Sequence, residues 1–410
     1  MNGLQLKSWF TAAFAFFLLI AFGGFIIRYL PFQNYIDQSA YYNVLQFHSH
    51  TSFLAWVLPA LMIFILHNFK IELFEKKSST NIFFFFFYLT AFISGFSFII
   101  SGYSIFSIII LIVLLLISYV GLMKLYFCLN LKYSDYFSTF SIKTGIIFYF
   151  VSSLSTWVLP VLILTGMKKT PFYYYNIYFY LHFLFNGFIT FFILSLFFDQ
   201  TVKFKKEVRS KTFKKLLIIF ATGTIFTYSG SLLWNKVHYI FNVFNITGSI
   251  MMLISLIYFS SLTKIYLRRA GIAERSFFII AWISFFIKVI LQTIQSFPYF
   301  AEASYLLKSQ FIVGYMHLVT LGFISAFLLS YAFRKGILKT NFFNTISSLV
   351  FILSLILSEI VLFSHGTLML FGIYSIGPHF NSLMLIFSIP LCLAIAFLFY
   401  GLIKTRVPKM

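Results

Sequence analysis

Three histidines recur at nearly equal intervals: 132 residues separate His50 from His182, and 135 separate His182 from His317. An imidazole offers a lone pair to a metal or a haem iron and changes charge near neutral pH. Imidazoles on different helices at a common depth can converge on one centre. Within the "HSH" of residues 48–50 the two rings point about 200° apart on a helix, so only one of His48 and His50 faces a given centre; His50, the deeper, is favoured. For each histidine taken singly, a helix end that tolerates a polar side chain is an equally good account. A second polar group is Lys288, Gln292 and Gln295 at i, i+4 and i+7, with Glu359 further along the chain. A buried Lys288–Glu359 pair with amide packing is the structural reading of these residues.

The elements that must position these side chains are set by the solvent. Of 410 residues 61% are hydrophobic and 10% charged, a balance that would expose large apolar surfaces in water. In lipid the backbone must satisfy itself, so long apolar runs mean helices, and the short alternating segments of a β-barrel are absent. The fold expected is an all-α integral membrane protein, one polytopic domain over residues 1–410. Its spans lie near 9–29, 45–67, 82–101, 105–127, 145–165, 177–198, 215–234, 240–262, 276–295, 311–333, 345–364 and 383–403. On this ladder His48 and His50 open helix 2, His182 opens helix 6 and His317 opens helix 10. A His therefore returns every four helices, which reads as three pseudo-repeated four-helix groups. "WVLP" occurs at 56–59 and 157–160 on helices of opposite direction and reads as a proline kink.

The net charge of +21 is topological. With a cytoplasmic N-terminus, only Arg28, Lys168, Lys169, Lys236, Lys288 and Lys308 fall on the outer side; all other Lys and Arg lie at the termini or in inward connections. Both ends are thus expected in the cytoplasm, and His48, His50, His182, His238, His317, His365 and His379 on the outer side, with His67 inward. The dense run Lys203, Lys205, Lys206, Arg209, Lys211, Lys214 and Lys215 reads as a loop against anionic lipid, with a basic docking site as the alternative. The partner is the lipid bilayer; nucleic acid is disfavoured. The run from Trp9 to Ile27 is longer than a signal-peptide core and is read as an uncleaved first helix. Cys128 and Cys392 and the lack of C-x-x-C-H support neither a disulfide framework nor covalent c-type haem.

Twelve helices in three groups of four, with histidines on helices 2, 6 and 10, resemble subunit I of the haem-copper oxidase superfamily, which includes nitric oxide reductases. The "FHSHTSFLAW" opening of helix 2 is also similar to the NnrS family of haem- and copper-containing membrane proteins. The resemblance implies a low-spin haem b held by His50 (or His48) and His317, and copper or non-haem iron at His182. It implies inner-membrane localisation in a bacterium, with a redox donor or accessory subunits as partners. Departures are equally specific. The helix 10 H-x-H reads Tyr315, Met316, His317; helix 7 has no His pair, only His238 nearby as a further metal candidate; and Asn186 stands four residues after His182 where oxidases carry a cross-linked Tyr. A complete dioxygen-reducing centre is therefore not expected, and Tyr315 is a candidate ligand of a second haem. No Arg or Lys joins helices 11 and 12, where the superfamily keeps its propionate-binding arginines, so Lys288 becomes the candidate for that role.

Two function classes follow: a haem-binding, oxidase-like protein of respiratory electron transfer or nitric oxide handling, and a twelve-helix secondary transporter, whose halves would show sixfold repetition. The charge asymmetry makes a direct prediction. A topology reporter fused after Met410, or placed within 203–215, should be active only in its cytoplasmic form, and periplasmic activity at either position would overturn the assignment.

Overall fold

The computed structural model describes residues 3–33, 37–132, 136–201, 211–307, 309–373 and 376–405; among them the ordered backbone is helical and no strand occurs. Among the described residues twelve helices are long and apolar enough to cross a membrane, the first six being α1 (Gln5–Phe32), α2 (Gln38–Asn68), α3 (Ser78–Ser101), α4 (Ile105–Leu129), α5 (Phe137–Leu164) and α6 (Pro171–Thr201). The others are α7 (Lys211–Asn235), α8 (Ile240–Ser260), α9 (Ile272–Ile294), α10 (Phe311–Arg334), α11 (Phe342–Leu370) and α12 (Phe380–Lys404). The protein is an all-α, twelve-helix membrane protein.

α5 starts eight residues before its apolar run, at Phe137, and α2 and α6 also start early. α2 begins at Gln38 and α6 at Pro171, because the tyrosine-rich segments "QSAYYNVLQ" and "PFYYYNIYFY" continue the helix beyond the hydrocarbon-like stretch. Each start is capped. Asp37 accepts from the Ser39 N–H at 2.8 Å and the Ser39 hydroxyl at 2.7 Å, bonds that hold its carboxyl below the usual carboxylate range. Thr170 accepts from Tyr173 N–H, with Pro171 in the first helical turn. The expectation that the histidines open their helices is corrected accordingly. They stand about three turns into α2 and α6 and about two turns into α10.

The chain packs as two compact units. Unit 1 comprises Met1–Lys132, Gly271–Ile280 and Ser325–Met410, hence α1 to α4, α11, α12, the start of α9 and the end of α10. In it α1 lies against α12 and α2, and the Phe17 ring stacks on Trp56 at 4.6 Å while the Trp56 indole N–H donates to Ser325 Oγ at 2.9 Å. Lys7 donates to the carbonyls of Ile403 and Thr405, closing the free end of α12. Arg334 and Glu274 form an ion pair at 2.5 Å, and Lys335 donates to Asn68 at 2.6 Å. Unit 2 comprises Tyr133–Ala270 and Ala281–Ile324. There α6 lies along α5, and α7 along α8. Because the division runs through α9 and α10, no linker marks it in the sequence.

Three stretches depart from α-helical winding in the same way. Ser52–Val57 in α2, Phe183–Ile189 in α6 and Leu318–Ser325 in α10 are π-helical, and each begins one or two residues after His50, His182 or His317. In α2 the widened turn is followed by Pro59, which supplies no N–H and crowds the carbonyl of Ala55. Pro160 lies inside α5, so both "WVLP" prolines sit within helices. The π stretches of α6 and α10 carry instead a glycine pressed on a neighbour. A Cβ at Gly187 would lie 2.5 Å from Phe148 Cβ, and one at Gly322 would lie 2.6 Å from Ser284 Oγ. Gly187→Ala should therefore cost about 1–3 kcal/mol, read as a lower melting temperature in detergent, whereas Gly377→Ala, with nothing within 4 Å, should be neutral.

Candidate functional site

In unit 1 the site is built from α1 and α2. Gly23 and Gly24 of α1 let α2 come close: a Cβ on Gly24 would sit 3.0 Å from His48 Cε1. The His48 ring lies against α1, with its Nδ1 2.9 Å from the Ile20 carbonyl. A carbonyl only accepts, so Nδ1 carries the proton and Nε2 keeps its lone pair. A backbone carbonyl on one nitrogen, with the other left basic, is the arrangement that orients metal-binding imidazoles.

His50 is used differently. Its ring stacks on Phe98 at 4.8 Å and 11°, and Nε2 lies 2.5 Å from the Tyr103 hydroxyl. Depth favours His50 from the sequence; in the structure His48 is the one of the two whose tautomer a backbone carbonyl fixes. Arg28 of α1 lies within electrostatic range of His48, of Tyr41 and of Glu359 on α11. His365 is buried with its ring 4.3 Å from Phe380. His67 is half-buried near the far end of α2, and His379 is exposed.

Unit 2 brings together His182, Tyr315 and Lys288, with Asn186 and Gln292 joining them. His182 Nε2 lies 2.8 Å from the Thr224 carbonyl and therefore donates; Nδ1 then accepts from Asn186 Nδ2 at 3.1 Å. Asn186 Oδ1 accepts from Gln292 Nε2 at 3.3 Å, and Asn186 also hydrogen-bonds the Tyr315 side chain. Asn245 extends the network, donating to the Gln292 carbonyl at 2.8 Å and to Ser296 Oγ at 2.7 Å. Lys288 is wholly enclosed, its Nζ 5.3 Å and 5.8 Å from the ring centres of Phe285 and Phe323, with no hydrogen-bond partner and with His182 in electrostatic range. Gln295 is half-buried beside this network. Lys288 and Glu359 thus belong to different units, each with its own surroundings.

These bonds bear on the expected ligands. As packed, His182 has both nitrogens engaged and a lysine ammonium nearby, so it does not fit a copper or non-haem iron ligand. His238 is exposed, its Nδ1 accepting from the Ile240 N–H at 3.3 Å as α8 begins, which makes it a local cap. Tyr315 is half-buried with its side chain bonded to Asn186, and His317 is half-buried at the junction with the π stretch. Among the described residues no group of three or more His, Cys, Asp or Glu side chains is arranged to hold a metal ion. His48 meets the donor chemistry of a haem ligand. The sequence signal that would have selected it is the Gly23–Gly24 pair; Arg28 and Asn186 were missed as site residues because nothing local marks their partners.

The network predicts an asymmetric response. Asn186→Ala strips three bonds from buried groups and should cost about 1–3 kcal/mol in a melting experiment, while Gln295→Ala should stay within about 0.5 kcal/mol. Equal effects would show that the network is incidental.

No protein-family model matches this chain, and no curated protein matches it at a significant level.

Proposed function

We propose that the protein binds a b-type haem and works in one-electron respiratory transfer or nitric oxide handling in a bacterial inner membrane, with a redox donor or accessory subunit as partner. The observation that carries this reading is the recurrence of a histidine followed by a π-helical stretch on α2, α6 and α10. π-helical widening concentrates at functional positions. Its spacing of four helices agrees with the threefold organisation of the haem-copper superfamily. A carrier built of two six-helix halves would repeat the feature of α2 on α8 and that of α6 on α12, and α8 and α12 are wound as α-helix throughout.

His48 would hold the iron through Nε2, with the Ile20 carbonyl fixing its tautomer; the resemblance names His317 of unit 2 as a further haem ligand. Bound there, the haem would supply reversible one-electron chemistry at iron. The chain's own part is to orient the imidazole, to exclude water and to keep the site apolar. His182 is assigned no metal. A dioxygen-reducing centre is not part of the proposal.

A transporter is the second reading, favoured by the enclosed polar network of Asn186, Lys288, Gln292 and Tyr315 inside the spans of unit 2. One optical spectrum of the purified protein separates the two. The haem reading expects sharp reduced bands that are lost or turned high-spin by His48→Ala or His317→Ala, weakened little by His50→Ala and untouched by His67→Ala and His182→Ala. Folded protein without haem would remove the haem reading and leave the carrier.

A further inference from the structure

Two charges of unit 1 sense each other inside the membrane without bonding. Arg28, half-buried near the end of α1, has no hydrogen-bond partner and no ion pair for its guanidinium among the described residues. Glu359 of α11 is 9% exposed, and neither carboxyl oxygen is hydrogen-bonded. Each feels the other's charge, yet they are further apart than the 4.0 Å of an ion pair. A pair that served only to hold helices together would be closed, because unmet charges in lipid are costly and contact repays part of that cost.

The rest of the neighbourhood offers Arg28 no substitute. From α2 it faces Tyr41 and His48, neither of them an anion at neutral pH. The spans α2, α3 and α12 contain no Asp or Glu. A guanidinium presents five N–H donors in a planar fork whose match is a carboxylate or phosphate. Gly24, against which the His48 ring lies, precedes Arg28 by four residues on α1, about 6 Å along the axis. Arg28 therefore stands about one turn beyond the His48 ring toward the end of the helix, where the acidic arm of a ligand centred near His48 would emerge.

We propose that Arg28 is the receptor for a carboxylate, with Glu359 balancing its charge from beyond bonding distance while the ligand is absent. The carboxylate has two sources. One is a propionate arm of a haem, which rests on the reading above; the other is a free organic acid, which does not. This assignment also relieves Lys288, enclosed between two phenyl rings in unit 2, of the propionate role given it from the sequence.

Wild type, Arg28→Gln and Arg28→Lys, purified in lipid nanodiscs, test the proposal. If the wild type carries haem, Arg28→Gln should lower the midpoint potential, since a lost positive charge disfavours arrival of the electron, and Arg28→Lys should recover part of it. If the wild type is folded without haem, the haem reading fails alone. Succinate should then raise the melting temperature of the wild type, Arg28→Gln should need about tenfold more for the same rise, and dimethyl succinate should have no effect. An unchanged potential in haem-loaded Arg28→Gln, or an equal succinate response in haem-free protein, overturns the proposal. Should Arg28→Gln fail to fold, Arg28→Lys carries the test: it keeps the charge and loses the fork, and an unaltered value in it overturns the proposal as well.

Discussion

Inside the membrane a polar atom has no water to turn to, and this decides what each buried side chain of the protein is able to do. Three cases stand side by side. His182 gives both ring nitrogens to Thr224 and Asn186, so nothing remains for a ligand. His48 gives only Nδ1, to the Ile20 carbonyl, and keeps a basic nitrogen. Among the described residues Arg28 gives none of its donors, and Glu359 receives none at its carboxyl. Function is sought where the internal bonding is incomplete, and structure where it is complete.

The backbone follows the same rule. The π stretches after His50, His182 and His317 loosen the regular ladder only within enclosed helices: α2, α6 and α10 are the most buried of the twelve spans. Proline supplies the cause in α2, and glycines that admit a neighbour accompany the other two. Such winding redirects the side chains on either side of it by a fraction of a turn, which matters most where an imidazole must be aimed.

Much of the fold was legible because lipid imposes a strong code. Apolar run length located all twelve spans, and failed chiefly at the starts of α2, α5 and α6; in α2 and α6 tyrosines continue the helix past the apolar stretch. The site was legible in part. Spacing singled out His50, His182 and His317, and α9 periodicity singled out Lys288 and Gln292, both buried in unit 2. Which nitrogen of which histidine is left free depends on bonds between residues far apart in sequence, such as Ile20 with His48 and Asn186 with His182, and no local pattern encodes them. Depth therefore favoured His50 where contact favours His48. Lys288 and Glu359, joined in the sequence reading by complementary charge, belong to different units.

The central claim is that His48 offers its Nε2 to a haem iron. Electron paramagnetic resonance of the oxidised protein, with histidine labelled by nitrogen-15, tests it most directly. The account predicts a low-spin ferric signal with imidazole nitrogen couplings, one of which disappears in His48→Ala and persists in His50→Ala. A folded, haem-replete protein whose couplings survive His48→Ala, or a folded protein with no ferric signal at all, would contradict it.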